Sequence, residues 1–236
     1  MKQNRIILST IVLFLVLTSC FPSYEKGSGV LISTEIDVDD FDKINLSGTG
    51  TIYYIQGEEH SLKIVTDDNI IPFLKQNVTG GELILDIDKA LINPTKLDFY
   101  ITSPQISKFV ISGTGNIISE KIIETEELKV WISGAAEAKI DLKANKMDIK
   151  ISGSGDISTA GIVDELELKL SGAGNLDAYN LIAEKAKITI SGAGDATVHV
   201  VKSLRAKVSG AGNIQYKGTP KVNSNISGAG SVNAIN

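Results

Sequence analysis

A five-residue phrase, Ser-Gly-x-Gly followed by Asn or Asp, returns down the second half of this chain and restricts what the chain can become. It reads Ser112-Gly113-Thr114-Gly115-Asn116, Ser152-Gly153-Ser154-Gly155-Asp156 and Ser171-Gly172-Ala173-Gly174-Asn175, with further copies beginning at Ser191, Ser209 and Ser227, the last closing on Ser231 instead. A degenerate copy, Ser133-Gly134-Ala135-Ala136-Glu137, falls between the first two, and an outlying one, Ser47-Gly48-Thr49-Gly50-Thr51, lies upstream. From Ser112 onward, successive serines are 21, 19, 19, 20, 18 and 18 residues apart. A fixed period in this range marks a repeat architecture, in which each unit is a supersecondary element stacked on its neighbour.

Each phrase follows a short alternating run. Leu166, Leu168 and Leu170 alternate with Glu167 and Lys169; Ile149 and Ile151 flank Lys150; Val130 and Ile132 flank Trp131. Apolar residues at every second position give a strand with one buried and one solvated face. The Gly-x-Gly predicts a sharp corner whose glycines take positive φ, and the closing Asn or Asp also tolerates that region. After the corner the alternation resumes, as at Leu176 and Ala178. Two or three short strands in about nineteen residues suit one turn of a parallel β-solenoid, because a hairpin meander needs turn signals every 8–12 residues or so. The expected fold is therefore all-β: a parallel β-helix-like solenoid of 18–21 residues per rung, with a less regular β section before it. Right-handed coiling follows from the general preference of parallel crossovers. A triangular left-handed form with hexapeptide periodicity is the alternative, and the irregular spacing argues against it.

The first residues read as a targeting segment over 1–19. Lys2 and Arg5 precede an apolar run from Ile6 to Val16, too short to span a bilayer comfortably. Leu17-Thr18-Ser19-Cys20 resembles the lipobox of bacterial lipoproteins, whose cysteine becomes the acylated first residue. That resemblance implies lipidation, including palmitate, at Cys20, and a membrane partner reached through the anchor rather than a span. Cys20 is the only cysteine, so the chain has no disulfide framework. Residues 20–30, rich in Pro, Ser and Gly, read as a polar tether that does not pack. Residues 31–105 form the irregular β section, with a short helical turn expected in Asp68–Leu74, and 106–236 the regular repeats.

Beyond the repeats, Asp42-Lys43-Ile44-Asn45-Leu46-Ser47-Gly48, Leu62-Lys63-Ile64, Asp68-Asn69-Ile70 and Gly81-Glu82-Leu83-Ile84 precede the serial Ser-Gly-x-Gly-Asn/Asp. Together these resemble the head GIN domain family, described as "putative auto-transporter adhesin" and common among Bacteroidetes-type lipoproteins. The resemblance covers nearly all of the chain after Cys20. It implies a β-solenoid of the cell envelope, an outer-membrane lipoprotein on the periplasmic or surface side, and it brings no catalytic residues to carry over. The Ser133 copy departs from the pattern at Ala136 and Glu137, so a differently shaped corner is expected there.

Little chemistry rises above this background. Asn116, Asp156, Asn175, Asp195 and Asn213 would form a column if the rungs stack in register. A calcium ladder would use Asp156 and Asp195 as its metal candidates, but two carboxylates among three amides carry little charge for a hard cation. Stacked side-chain hydrogen bonds are the favoured reading, for the serine column as well. Catalytic residues and cofactors are expected to be none. His60 and His199 lack ligand spacing, and Asp67-Asp68 and Glu126-Glu127 read as solvated loop charges. Trp131 alternates out of phase with Val130 and Ile132, points outward, and is the candidate for a glycan contact. A net charge of −5, with no basic patch carrying interleaved aromatics, excludes a nucleic-acid partner. The expected function is a non-catalytic, lipid-anchored adhesion or interaction module with a glycan or protein ligand. The alternatives are a polysaccharide-processing or glycan-binding β-helix protein, or an envelope scaffold self-associating end to end.

Overall fold

The computed structural model describes residues 24–88 and 90–235. The targeting segment 1–19 and Cys20 lie outside the described residues. Nine strands precede the regular repeats: β1 (Tyr24–Lys26), β2 (Leu31–Ile36), β3 (Lys43–Leu46), β4 (Thr49–Gln56), β5 (Ser61–Asp67), β6 (Leu74–Thr79), β7 (Glu82–Ile87), β8 (Ala90–Ile92) and β9 (Leu97–Ser103). Ten follow: β10 (Lys108–Ile111), β11 (Thr114–Ser119), β12 (Ile123–Ile132), β13 (Glu137–Ile151), β14 (Asp156–Leu170), β15 (Asn175–Ile190), β16 (Ala196–Val208), β17 (Asn213–Lys217), β18 (Lys221–Ile226) and β19 (Ser231–Ala234). One 3₁₀ turn, Ile71–Phe73, starts with Pro72 early and meets the expectation of a short helical turn.

From β10 onward every pairing is parallel, and each rung repeats the one before. The expected solenoid is therefore present. Strands leading into the serine corner stack as one sheet, which pairs Val130 with Ile149, Ile149 with Leu168 and Leu168 with Ile188. Strands leaving the corner stack as a second sheet, which pairs Ala138 with Ile157 and Ile157 with Leu176. We call these the entry sheet and the exit sheet. Ile132, Ile151, Leu170, Ile190 and Val208 form one column of the core between them, all essentially buried. Beside the corners burial follows the strand period, so the aliphatic residues of the alternating runs land inside, whereas Ile162 and Ile182, midway between corners, are exposed.

The uneven spacing has a local cause. Between β14 and β15 the register shifts by one residue after Ser158, and between β15 and β16 it shifts at Ala178/Ile182 and Ala183/Lys185. These bulges lie between corners and absorb the extra or missing residues, leaving the serine corners aligned.

The corner itself differs from expectation. Only in the first copy do its glycines take positive φ, at Gly48 (121°) and Gly50 (131°); in the later copies no corner glycine does. Glycine is required there by stacking. Ala173 N donates to Gly153 O at 3.0 Å, and the same bond recurs at Ala193 to Gly172 and Ala211 to Gly192. A Cβ on Gly172 would collide with that Gly153 carbonyl, and Gly134, Gly153, Gly192, Gly210 and Gly228 are placed alike over the rung before. The degenerate copy keeps the ladder, with Ala135 N on Gly113 O and Ser154 N on Gly134 O, both at 3.0 Å. Ala136 and Glu137 thus leave the backbone of that corner in line with its neighbours.

The irregular section is the beginning of the same coil. β3 and β4, joined at Ser47, pair with β10 and β11, and β7 and β9 form the next layer outward. Antiparallel strands then close this end: β6 on β7, β5 on β9, and β2 on β5. The expected tether also departs from the sequence reading. β1 pairs with β8, Gly29 N donates to Asp67 Oδ1 at 2.7 Å, and Ser28 N donates to Asn69 Oδ1 at 3.0 Å. Polar groups of the segment find fixed partners, which composition cannot reveal. Asp67, read from sequence as a solvated charge, is fully buried. Burial alone would raise its pKa, yet donors from Thr95 and Gly29 outweigh burial and hold the carboxyl below its ordinary value.

Candidate functional site

The entry sheet turns outward every residue that its aliphatic partners do not occupy, so register decides which side chains become neighbours. Eleven cations face out along it between β3 and β18: Lys43, Lys108, Lys129, Lys146, Lys150, Lys169, Lys185, Lys187, Arg205, Lys207 and Lys221. Four carboxylates share the outward positions of this sheet with them, Glu127, Asp148, Glu165 and Glu167; β7 at the rim adds Glu82 and Asp86. The exit sheet carries the reverse balance. Glu137, Asp141, Asp156, Asp177 and Asp195 lie on it or at its corner, against Lys139 and Lys217. A chain of net charge −5 therefore presents one basic face and one acidic face.

The charges on the basic face are arranged in columns of two kinds. Glu127, Lys146, Glu165 and Lys185 alternate in sign on successive rungs, with Lys146 3.2 Å from Glu127 and Lys185 3.0 Å from Glu165. The next two columns do not alternate. Lys43, Lys108 and Lys129 follow one another, Lys150 pairs with Lys169, and Lys187 pairs with Arg205. Glu167 bridges Lys187 at 3.0 Å and Lys169 at 3.1 Å, and these ammonium groups lower its pKa. Two hollows are sunk into this face. One of about 520 Å³ runs beside the serine corners past Trp131, Lys150, Lys169 and Thr189. The other, about 450 Å³, lies along the far side and includes Lys187, Arg205 and Lys221.

Trp131 sits at the head of the first hollow, pointing outward as its alternation predicts. Lys108 Nζ and Lys150 Nζ, from the preceding and following rungs, lie 4.1 and 3.9 Å from the ring centroid. Ammonium groups thus occupy positions that a stacked sugar would take. The indole Nε1 is buried without a hydrogen-bond partner.

The Asn/Asp column forms the hydrogen-bonded ladder favoured from sequence. Asp156 Oδ1 accepts from Asn175 N and Asn175 Nδ2, both at 2.9 Å. Asn175 Oδ1 accepts from Asp195 N at 3.0 Å, and Asp195 Oδ1 accepts from Asn213 N and Nδ2. The carboxylates of Asp156 and Asp195 are thereby engaged by amide donors on the next rung. Among the described residues, no three His, Cys, Asp or Glu side chains gather to hold a metal. The serine hydroxyls also link rungs: Ser47 Oγ and Ser112 Oγ lie 3.3 Å apart, and further along Ser171 Oγ donates to Ile151 O and Ser152 Oγ to Ile132 O, each at 3.5 Å. His60 is spent on Phe41 O and Asp40, and His199 lies apart on β16.

The sequence reading missed two features. One is the basic face: strand alternation scatters its cations along the chain, and only a register count would have collected them. The other is an aromatic pair on the exit side, Tyr53 stacked on Tyr100 at 4.9 Å, with Lys63 Nζ 4.6 Å from the Tyr100 ring. The two tyrosines come from strands separated by most of the irregular section, so no local pattern announces them.

The family described as "Putative auto-transporter adhesin, head GIN domain" matches residues 40–220. A "putative adhesin" from Bacteroides fragilis NCTC 9343 has a crystal structure similar to this one at TM-score 0.82 and 30% identity, covering 89% of this chain and 100% of that one. A "putative adhesin" from Parabacteroides distasonis ATCC 8503 matches at TM-score 0.73 and 26% identity, over 90% and 100% of the two chains. A "putative lipid binding protein" from the same organism has TM-score 0.75 at 23% identity, over 91% and 100%, a likeness of fold alone. No curated protein matches the chain.

Proposed function

This chain belongs to the head GIN domain family, and on that footing we propose that it is a non-catalytic, lipid-anchored interaction module of the cell envelope. The observation that carries the reading is the basic entry sheet, a flat array of outward side chains repeating at the rung interval. Such an array suits a long ligand gripped at many equivalent points, as solenoid surfaces do elsewhere. The names given to the similar structures, adhesins among them, agree with this use. Rungs that run from corner to corner as continuous strands of 13 to 16 residues leave little loop for a catalytic groove. That geometry disfavours the polysaccharide-processing alternative.

Attachment is proposed to run through Cys20, acylated after removal of residues 1–19, with the folded part held at the outer membrane by its acyl chains. No described helix is long and apolar enough to cross a membrane. Protease shaving of intact cells, with lysed cells as control, tests the placement. Digestion on intact cells supports an outward-facing module, whereas protection until lysis would put the protein in the periplasm and sink the adhesion reading. Cys20→Ala should release the protein from the membrane fraction; retention of the variant would remove the anchor.

A further inference from the structure

We propose that the part of the basic face centred on Thr189 binds a linear acidic polysaccharide; this rests on the entry sheet being the interaction face. Thr189 lies directly between Lys169 and Lys207 on the neighbouring rungs, and two residues along the strand Lys187 lies beside Arg205. Four cations therefore surround one hydroxyl, and Glu167 is the carboxylate that reaches into the group, bonded to Lys169 and Lys187. Arg205 and Lys207 form no ion pair among the described residues.

Like charges directly opposite across strands destabilise a sheet. The column of Glu127, Lys146, Glu165 and Lys185 on the same face shows how this fold avoids the penalty, by alternating sign. Lys150 beside Lys169, and Lys187 beside Arg205, forgo that solution. A bound polyanion would supply the missing negative charge. Rungs stack about 4.8 Å apart, close to the advance of one residue in an extended uronic-acid chain, so carboxylates on a polysaccharide can meet cations rung by rung. Hydroxyls fit the same ligand: Thr189, Ser171 and Ser191 line the hollow that holds Lys150 and Lys169. An anionic bilayer is a poorer match, because the cations stand in rung-spaced columns with a hydroxyl between them rather than around an apolar tip that could enter a membrane.

The test uses the full chain in detergent and measures binding to polygalacturonate, to neutral dextran, and to vesicles of anionic phospholipid. Retention on polygalacturonate but not dextran is expected, weakening at least tenfold between about 50 and 200 mM salt if several charge contacts form. The double variant Lys169→Glu/Lys207→Glu should lose at least tenfold in affinity, while Lys139→Glu on the exit sheet should not. Arg205→Glu gives Lys187 an opposite charge, so it should lose binding without lowering the melting temperature, which separates ligand loss from unfolding. Failure to bind polygalacturonate, equal loss with Lys139→Glu, or binding to vesicles alone would each overturn the proposal. If shaving still places the protein outside, an interaction module with a different ligand remains; if the protein is protected until lysis, the adhesion reading falls independently.

Discussion

Gly172 lies directly over the carbonyl of Gly153, the oxygen that accepts the Ala173 N–H, so the corner of one rung has no room for a side chain above the corner of the last. The steric cause makes a sharper prediction than positive φ would. Gly172→Ala should destabilise the fold by about 1–3 kcal/mol as an overpacked contact, and Gly172→Val by more. Gly80, with φ of +60° and nothing near its absent Cβ, is the contrasting case, where substitution strains only the turn. Thermal melting of the variants checks this; an unchanged melting point for Gly172→Ala would refute the stacked corner.

Asn175 is the middle step of the amide–carboxylate ladder, donating to Asp156 and accepting from Asp195 N. Asn175→Ala removes both links and should cost about 1 kcal/mol, the usual net value of exposed hydrogen bonding. Calcium should leave the melting temperature of the native chain unchanged. A calcium-dependent rise would turn Asp156 and Asp195 back into metal ligands.

Tyr54 is fully buried, its hydroxyl 3.0 Å from Ser103 Oγ, and burial pushes its pKa up to about 12 despite that hydrogen bond. A folded pKa above the unfolded value near 10 means that the unfolded chain loses this proton first. Stability from this group is therefore intact below pH 10 and falls as pH rises toward about 12. In Tyr54→Phe the alkaline loss over that window should shrink, at a neutral-pH cost of about 1 kcal/mol for the hydrogen bond. Denaturant melts at pH 8, 10 and 11.5 measure both effects.

Asp67 ties the arm of residues 24–30 to β5 and to Thr95. Asp67→Ala should free the arm, so that trypsin cuts at Lys26 much faster while the strand signal in circular dichroism persists. Because the folded pKa lies below the ordinary one, the tie should hold above the usual carboxylate range and fail as pH falls through that lowered value. Equal cleavage of both proteins would mean that the arm is held elsewhere.

The two ends of the coil are finished differently. β6, β5 and β2 cover the first end, whereas no described strand pairs with the outer edge of β18 and β19. Val222 and Ile226 of β18 are 37% and 43% exposed, and Lys221 is the one charge on the two strands. Edge strands that avoid pairing usually carry more charge. Concentration-dependent association is expected in sedimentation, and Val222→Lys should abolish it; a strict monomer at high concentration would dismiss end-to-end pairing.

The alternation of Leu166, Leu168 and Leu170, and its return near every serine, by itself determined the buried columns, because strand period and repeat period are both local properties. The short turn near Pro72, the outward aim of Trp131 and the hydrogen-bonded Asn/Asp column were legible for the same reason. What stacking decided was not. The role of the corner glycines depends on a carbonyl about nineteen residues earlier, and the burial of Asp67 depends on Gly29 and Thr95 reaching it from distant segments. The basic face depends on register: Lys187 and Arg205 are unremarkable in the chain and become neighbours only when bulges between the corners align their rungs. Sequence specifies which residues face out, and the tertiary structure specifies which of them meet.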